Sequence, residues 1–261
     1  MFSKTIFKQT LKANLKLWMI FTIITSALLG LLIAVFEPST ISSMTNMAEG
    51  TPLADLLKNT TFLGMLSSTF YSIHGILLPI IYIIMTANIL IASQVDRGSM
   101  AYLLSTPTKR STVVVTQAVY LIVALIVMLS IATLVGVISI QIFQSDVNVS
   151  NSDFLMLNLG WFLLMFAISG ISFLFSCIFN LSKNSLALGA GIPIAFFLFE
   201  LMSSVSNSLD KFKYISINTL FAKDAILNGD SYTIPFFILA ILGIVLYGIG
   251  IRVFKEKDLP L

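Results

Sequence analysis

Apolar and polar positions divide the chain into six long uncharged stretches separated by shorter polar segments. The stretches run from Leu17 to Phe36, Ile73 to Ala92, Val113 to Phe143, Phe154 to Phe179, Leu186 to Val205 and Ile234 to Ile251. A helix needs about 20 apolar residues to bridge a hydrocarbon core of about 30 Å, and each stretch reaches or approaches that length. Only the fifth carries a formal charge, Glu200. Membrane-barrel strands alternate in polarity over about 10 residues, whereas these runs are continuously apolar, so the pattern predicts helices. The expected fold is an all-α integral membrane protein with six transmembrane helices.

Composition excludes a soluble alternative. Hydrophobic residues make up 57% of the chain and charged residues 10%, against roughly 25% charged in soluble domains. The single cysteine, Cys177, lies inside the fourth run, which rules out an internal disulfide framework and fits a small packed hydrophobe. A net charge of +3 is accounted for by membrane orientation and gives no reason to expect nucleic acid. With both termini in the cytoplasm, the inner segments hold Lys4, Lys8, Lys12, Lys16, Arg97, Lys109, Arg110, Lys183, Arg252, Lys255 and Lys257. The outer segments hold Lys58, Lys211, Lys213 and Lys223. That asymmetry places both ends of this multi-pass chain on the cytoplasmic side of the cell membrane. The first span is too long for a signal-peptide core and is expected to stay attached.

The connecting segments carry further pattern. Lys4, Lys8, Lys12 and Lys16 recur every fourth residue, while Phe2, Ile6, Phe7, Leu11 and Trp18 fall largely on the opposite flank. This predicts an amphipathic N-terminal helix at the membrane interface, with lysines toward anionic lipid headgroups. A short helix is expected after Pro52. In another, Ile217, Leu220, Phe221, Ala225 and Leu227 keep a helical spacing that stops at Asn228 and Gly229. The connection from Ser93 to Thr112 is polar at its ends but holds Met100, Ala101, Tyr102, Leu103 and Leu104. Apolar residues in a cytoplasmic connection need a partner. Asp96 suits the positive end of a short helix there, and Pro107 limits its length.

In this connection Asp96, Gly98, Ser99, Leu103, Leu104, Ser105, Pro107 and Arg110 resemble a motif of ATP-binding-cassette exporter permeases of type 2. The motif, an acidic residue, any residue, glycine, serine or threonine, then Leu-Leu-Ser/Thr-x-Pro, follows the second of six spans in that family and forms the coupling helix seated in the ATPase subunit. The lysine-bearing N-terminus is similar to the family's interfacial connecting helix. One departure is Arg97, where many relatives carry acidic residues. The resemblance implies that residues 1–261 are a single transmembrane permease domain forming half of a translocation pathway. It also implies that Asp96, Arg97, Gly98, Ser99, Tyr102, Leu103, Leu104 and Pro107 meet an ABC ATPase. A second permease, identical or related, completes the pathway, and membrane lipid surrounds it. The sequence has no glycine-rich phosphate loop, so ATP and Mg are expected on the partner subunit and no cofactor, metal or catalytic residue on this chain.

Other functions fit less well. One histidine, His74, and one intramembrane carboxylate, Glu200, are too few for metal or acid–base hydrolysis. A secondary transporter driven by an ion gradient is the main alternative, but repeated halves and midplane ionisable groups are not evident. Glu200 and His74 are instead candidates for the outer part of the translocation path or the seam between permeases. Spans rich in Phe, Ile and Leu suit an amphipathic or antimicrobial peptide, a drug or a lipid-like cargo. Gly189, Gly191, Gly248 and Gly250 lie inside spans, where small residues permit close helix packing.

Overall fold

The structure, a computed structural model, describes residues 2–37, 40, 43, 61–105, 108–145, 149–205, 211 and 214–258. The elements in order are α1 (Lys4–Val35), α2 (Phe62–Thr69), a π turn (Phe70–His74), α3 (Gly75–Leu90), α4 (Ala92–Asp96) and α5 (Ser99–Ser105). They continue with α6 (Arg110–Phe143), α7 (Asn151–Ile178), α8 (Ser182–Val205), a 3-10 turn (Ile217–Leu220), α9 (Lys223–Asn228) and α10 (Thr233–Glu256). Six helical stretches are long and apolar enough to cross a membrane: α1, the α2-to-α4 stack, α6, α7, α8 and α10. The helix after Pro52 falls largely outside the described residues, which resume just before α2.

Helix starts follow the local chemistry of the sequence. Ser3, Thr61 and Ser150 accept hydrogen bonds from Ile6, Gly64 and Asp153 N–H groups, capping α1, α2 and α7. Nothing between Lys16 and Leu17 breaks a helix, so the lysine-bearing stretch and the first span are one continuous element of 32 residues. At 1.5 Å per residue it is about 48 Å long, well beyond the hydrocarbon thickness. The four lysines are exposed. Their opposite face is partly polar: Ile6, Thr10 and Asn14 are buried, and the Thr10 hydroxyl donates to Gln117 Oε1 of α6 at 3.2 Å. Phe2 and Leu11, on the apolar flank, are exposed, while Phe7 sits edge-on to Tyr120. Hydropathy alone cannot register a seam made by hydrogen bonds.

Helix α7 is the hub, packing against α3, α6, α8 and α10, and its contact with α10 is the most extensive. Gly243 of α10 lies under the Phe166 ring, so closely that a Cβ would come within 2.4 Å of it. Gly250 is also tight against Phe173, and Gly189 makes ordinary contact with α7. Gly191 and Gly248 face open space and do not set a helix separation.

The interior of the bundle is where α7 has its largest effect. Pro79 in α3 has no N–H and so leaves the carbonyl four residues earlier, Gly75, without its helical donor. The indole N–H of Trp161 donates to that carbonyl. Pro193 in α8 orphans the carbonyl of Gly189 in the same way, and the Ser172 hydroxyl donates to it at 2.7 Å. The helix also breaks at Ile91, between α3 and α4. There the Ser176 hydroxyl donates to the Ala87 carbonyl at 2.8 Å and accepts from the Ala92 N–H at 3.0 Å. Three interruptions in neighbouring helices are therefore repaired by side chains of one helix.

This arrangement yields a double-mutant prediction. Ser172→Ala leaves the buried Gly189 carbonyl without a donor and should destabilise the chain by about 1–3 kcal/mol. Pro193→Ala restores an N–H at the right place, so the double variant should recover part of that loss. Thermal unfolding of the four proteins in detergent measures it, and additive losses would show that the hydroxyl does not serve this carbonyl.

Candidate functional site

The connection after the second span is built by two departures from helical geometry. Ile91 adopts φ −129° and ψ −72°, which ends α3, and α4 starts at the next residue. Gly98 then takes φ +71°, a left-handed conformation that costs a residue bearing Cβ about 1–2 kcal/mol. A Cβ at Gly98 would meet nothing within 4 Å, so the requirement is for backbone freedom and not for space. The Gly98 N–H donates to the Val95 carbonyl and its own carbonyl accepts from Ala101, closing the turn into α5.

Helix α5 has an anchored face and an open face. Met100 is fully buried, and Leu103 and Leu104 are partly buried against the core of this chain. Tyr102 points the other way and is 81% exposed. Asp96, Arg97, Ser99 and Ser105 are also exposed. Pro107 lies outside the described residues. A groove of about 340 Å³ separates α5 from the lysine-bearing end of α1; Gln9, Asn14, Gln94, Tyr102 and Gln117 are among its walls.

Asp96 does meet a helix N-terminus, but of a different helix from the one anticipated. It closes α4, and its Oδ2 accepts the Ser182 N–H at 3.1 Å, at the start of α8. The Asn88 side-chain amide donates to the Ser182 hydroxyl at 2.6 Å. These contacts join the base of the second span to the α7–α8 turn. Nearby, the Arg110 guanidinium donates to the Lys257 carbonyl, and the Ser3 N–H donates to Thr116 Oγ1. Both ends of the chain therefore stand at the same end of the bundle as α5. Burial pushes the Lys257 ammonium down to about 8, while its Nζ keeps a 3.2 Å hydrogen bond to the Phe179 carbonyl.

Glu200 and His74 stand at the opposite end of the bundle. Glu200 Oε1 is 2.8 Å from Lys223 Nζ, and the two side chains are only 15% and 13% exposed. Lys223 also donates to the Ser72 hydroxyl at 2.8 Å. His74 is half-buried on the π turn, its Nδ1 3.2 Å from the Thr69 carbonyl. The segment carrying Lys223 is a 3-10 turn followed by α9, which ends on a left-handed Gly229 with φ +75°. The cap expected at Asn228 and Gly229 is present, but the helical spacing before it is split at Phe221 and Ala222.

A six-helix membrane bundle with a broken second span and a short helix beyond it is matched by a family model described as ABC-2 family transporter protein, over residues 7–259. The chain belongs to this family. It is a multi-pass membrane transport component of the ABC permease class. No curated protein matches it.

Several residues that organise this permease's two ends carried little signal in the sequence. Ser176, Ser182 and Asn88 are single polar residues in or beside apolar runs, and only a rule that such residues join helices points to them. Lys223 had a clearer signal: a lone carboxylate in a span requires a countercharge, and the connection following Glu200 contains three lysines.

The left-handed turn gives a local prediction. In Gly98→Ala the turn should open more often by about 1.4 kcal/mol, a tenfold rise in amide hydrogen exchange over residues 97–105. Gly98→Asn should be milder, because asparagine tolerates this conformation. Equal exchange in Gly98→Ala and the unmodified permease would contradict the positive φ.

Proposed function

We propose that this chain is the membrane-spanning half of an ATP-driven exporter whose energy comes from a separate ABC ATPase docked on α5. The observation that carries the reading is the division of α5 into a buried Met100 face and an exposed Tyr102. An 81% exposed aromatic beside a groove of mixed polar and apolar lining, on a helix fixed to its own bundle, has the form of an anchor awaiting a partner pocket. Asp96, Arg97, Gly98 and Ser99 frame that anchor, while Leu103 and Leu104 serve mainly to seat the helix. ATP and Mg belong to the ATPase, and this chain supplies no catalytic group. Both termini and α5 face the cytoplasm, and the protein resides in the cell membrane.

The pathway is completed by a second permease, identical or related. The least enclosed spans, α1, α8 and α10, offer the faces available to it and to lipid. Lys4, Lys8, Lys12 and Lys16 hold the start of α1 against anionic headgroups. Glu200 and His74, at the other end, flank the exit of the path. The cargo is an amphipathic peptide, a drug or a lipid-like molecule, in keeping with the apolar spans and the scarcity of charge within them.

Tyr102→Ala tests the docking. A buried interface aromatic contributes about 2 kcal/mol or more, so ATPase copurification should weaken by tens of fold. The amount of permease in the membrane should be unchanged, since Tyr102 supports nothing in its own fold. Leu103→Asp should also impair the complex, but it disturbs packing within the chain as well, which makes Tyr102 the cleaner position. Undiminished copurification of Tyr102→Ala would place the ATPase elsewhere.

A further inference from the structure

The ion pair at the end of the bundle opposite α5 joins three elements that no hydrogen-bonded secondary structure connects. Glu200 lies near the end of α8, Lys223 opens α9, and Ser72 sits in the π turn between α2 and α3. The Lys223 ammonium donates to Glu200 Oε1 and to Ser72 Oγ, both at 2.8 Å. It also lies 5.7 Å from the centre of the Phe221 ring, and the Ser72 hydroxyl in turn donates to the Ser67 carbonyl. The second carboxylate oxygen of Glu200 is buried without a partner. A charge pair so enclosed is costly to separate into lipid but readily separated into water. It holds firmly while that end is closed and releases once water enters.

The helices it joins are built to move there. Pro193 lies about two turns before Glu200 in α8, and Pro79 lies about two turns beyond Ser72 in α3. Each proline removes one backbone hydrogen bond between the tie and the rest of its helix, and kinks localise at such positions. The π turn adds a second irregularity beside Ser72. The segment over this end, Ile217–Leu220 with α9, is made of short turns.

We propose that Lys223, with Glu200 and Ser72, is a latch that closes this end of the permease and parts once in each transport cycle. When the latch parts, α8 swings at Pro193 and the 217–229 segment lifts from the π turn, which opens the path at the end opposite the ATPase. Lys223 is thus a positioning residue for the exit step, acting on helix geometry and not on cargo. The parting step rests on the proposed coupling to an ATPase; the closing role does not.

Two measurements in nanodiscs, on full chains carrying Cys177→Ala, test it. The first places a thiol at Asn218, which is buried at 1% exposure in the segment expected to lift. In Asn218→Cys, labelling by a charged maleimide should be about tenfold faster when Lys223→Met or Glu200→Gln is added. The double variant should label no faster than either single one, because both remove the same interaction. Unchanged rates, or a double effect equal to the product of the single effects, would overturn the latch. The second uses Glu200→Cys with Lys223→Cys, bridged by a short bifunctional thiosulfonate in the complex with the ATPase. ATP hydrolysis should fall at least fivefold on bridging and return on reduction. Full hydrolysis in the bridged complex would overturn the parting step. Failure of the ATPase to bind the unmodified permease would instead refute the docking reading and leave the labelling result standing.

Discussion

Within hydrocarbon no water is available to a backbone N–H or C=O that lacks a partner, so every departure from helical geometry has to be repaired by protein. In this bundle the repairs converge on α7. Trp161 serves the carbonyl freed by Pro79, Ser172 the one freed by Pro193, and Ser176 bridges the break at Ile91. Because one helix supplies all of these, α3 and α8 carry their interruptions while staying attached to a common strut. The close approach of α10 at Gly243 holds that strut from its other side. A smaller repair elsewhere follows the same rule: the Gln144 amide donates to the carbonyls of Ile33 and Phe36 at the end of α1.

The break at Ile91 shapes the connection that follows it. It ends α3, and after the Gly98 turn α5 runs with Met100 buried and Tyr102 exposed. The contact of Asp96 with the start of α8 then ties this emerging helix to the second proline-bearing span. Contacts therefore run from the base of α5 to α3 through Ser176 and to α8 through Asp96 and Ser182. At the other end the same two helices meet again through Ser72, Lys223 and Glu200. The α5 end and the Lys223 end of the bundle are thus connected by two helices, each with one proline along its length.

Much of the fold was legible in the sequence because bilayer thickness imposes a simple length requirement on apolar runs. Each of the six runs coincides with a helical stretch to within one residue at its end, and the structure extends most of those stretches by polar turns that hydropathy excludes. Gly229 was legible as a helix end because that is a local matter of backbone sterics. What escaped were contacts between distant positions. Asp96 finds Ser182, Thr10 finds Gln117 and Lys223 finds Glu200 only after the helices have packed. Mean hydropathy discards the lone serines and asparagines that make such contacts. The anchoring of Leu103 and Leu104 on their own bundle was hidden for a related reason: an apolar residue in a connection declares that it needs a partner, not which partner.

The central claim is that α5 is the surface through which this permease meets its ATPase. Replacing Tyr102 with a photo-crosslinking phenylalanine analogue in intact cells, then identifying the captured protein by mass spectrometry, addresses that claim most directly. The account predicts a single dominant adduct with an ABC ATPase, lost when the same analogue is placed at Ile23, which is exposed within the first span. An adduct formed only with lipid or with the permease itself at position 102, while the ATPase copurifies normally, would contradict it.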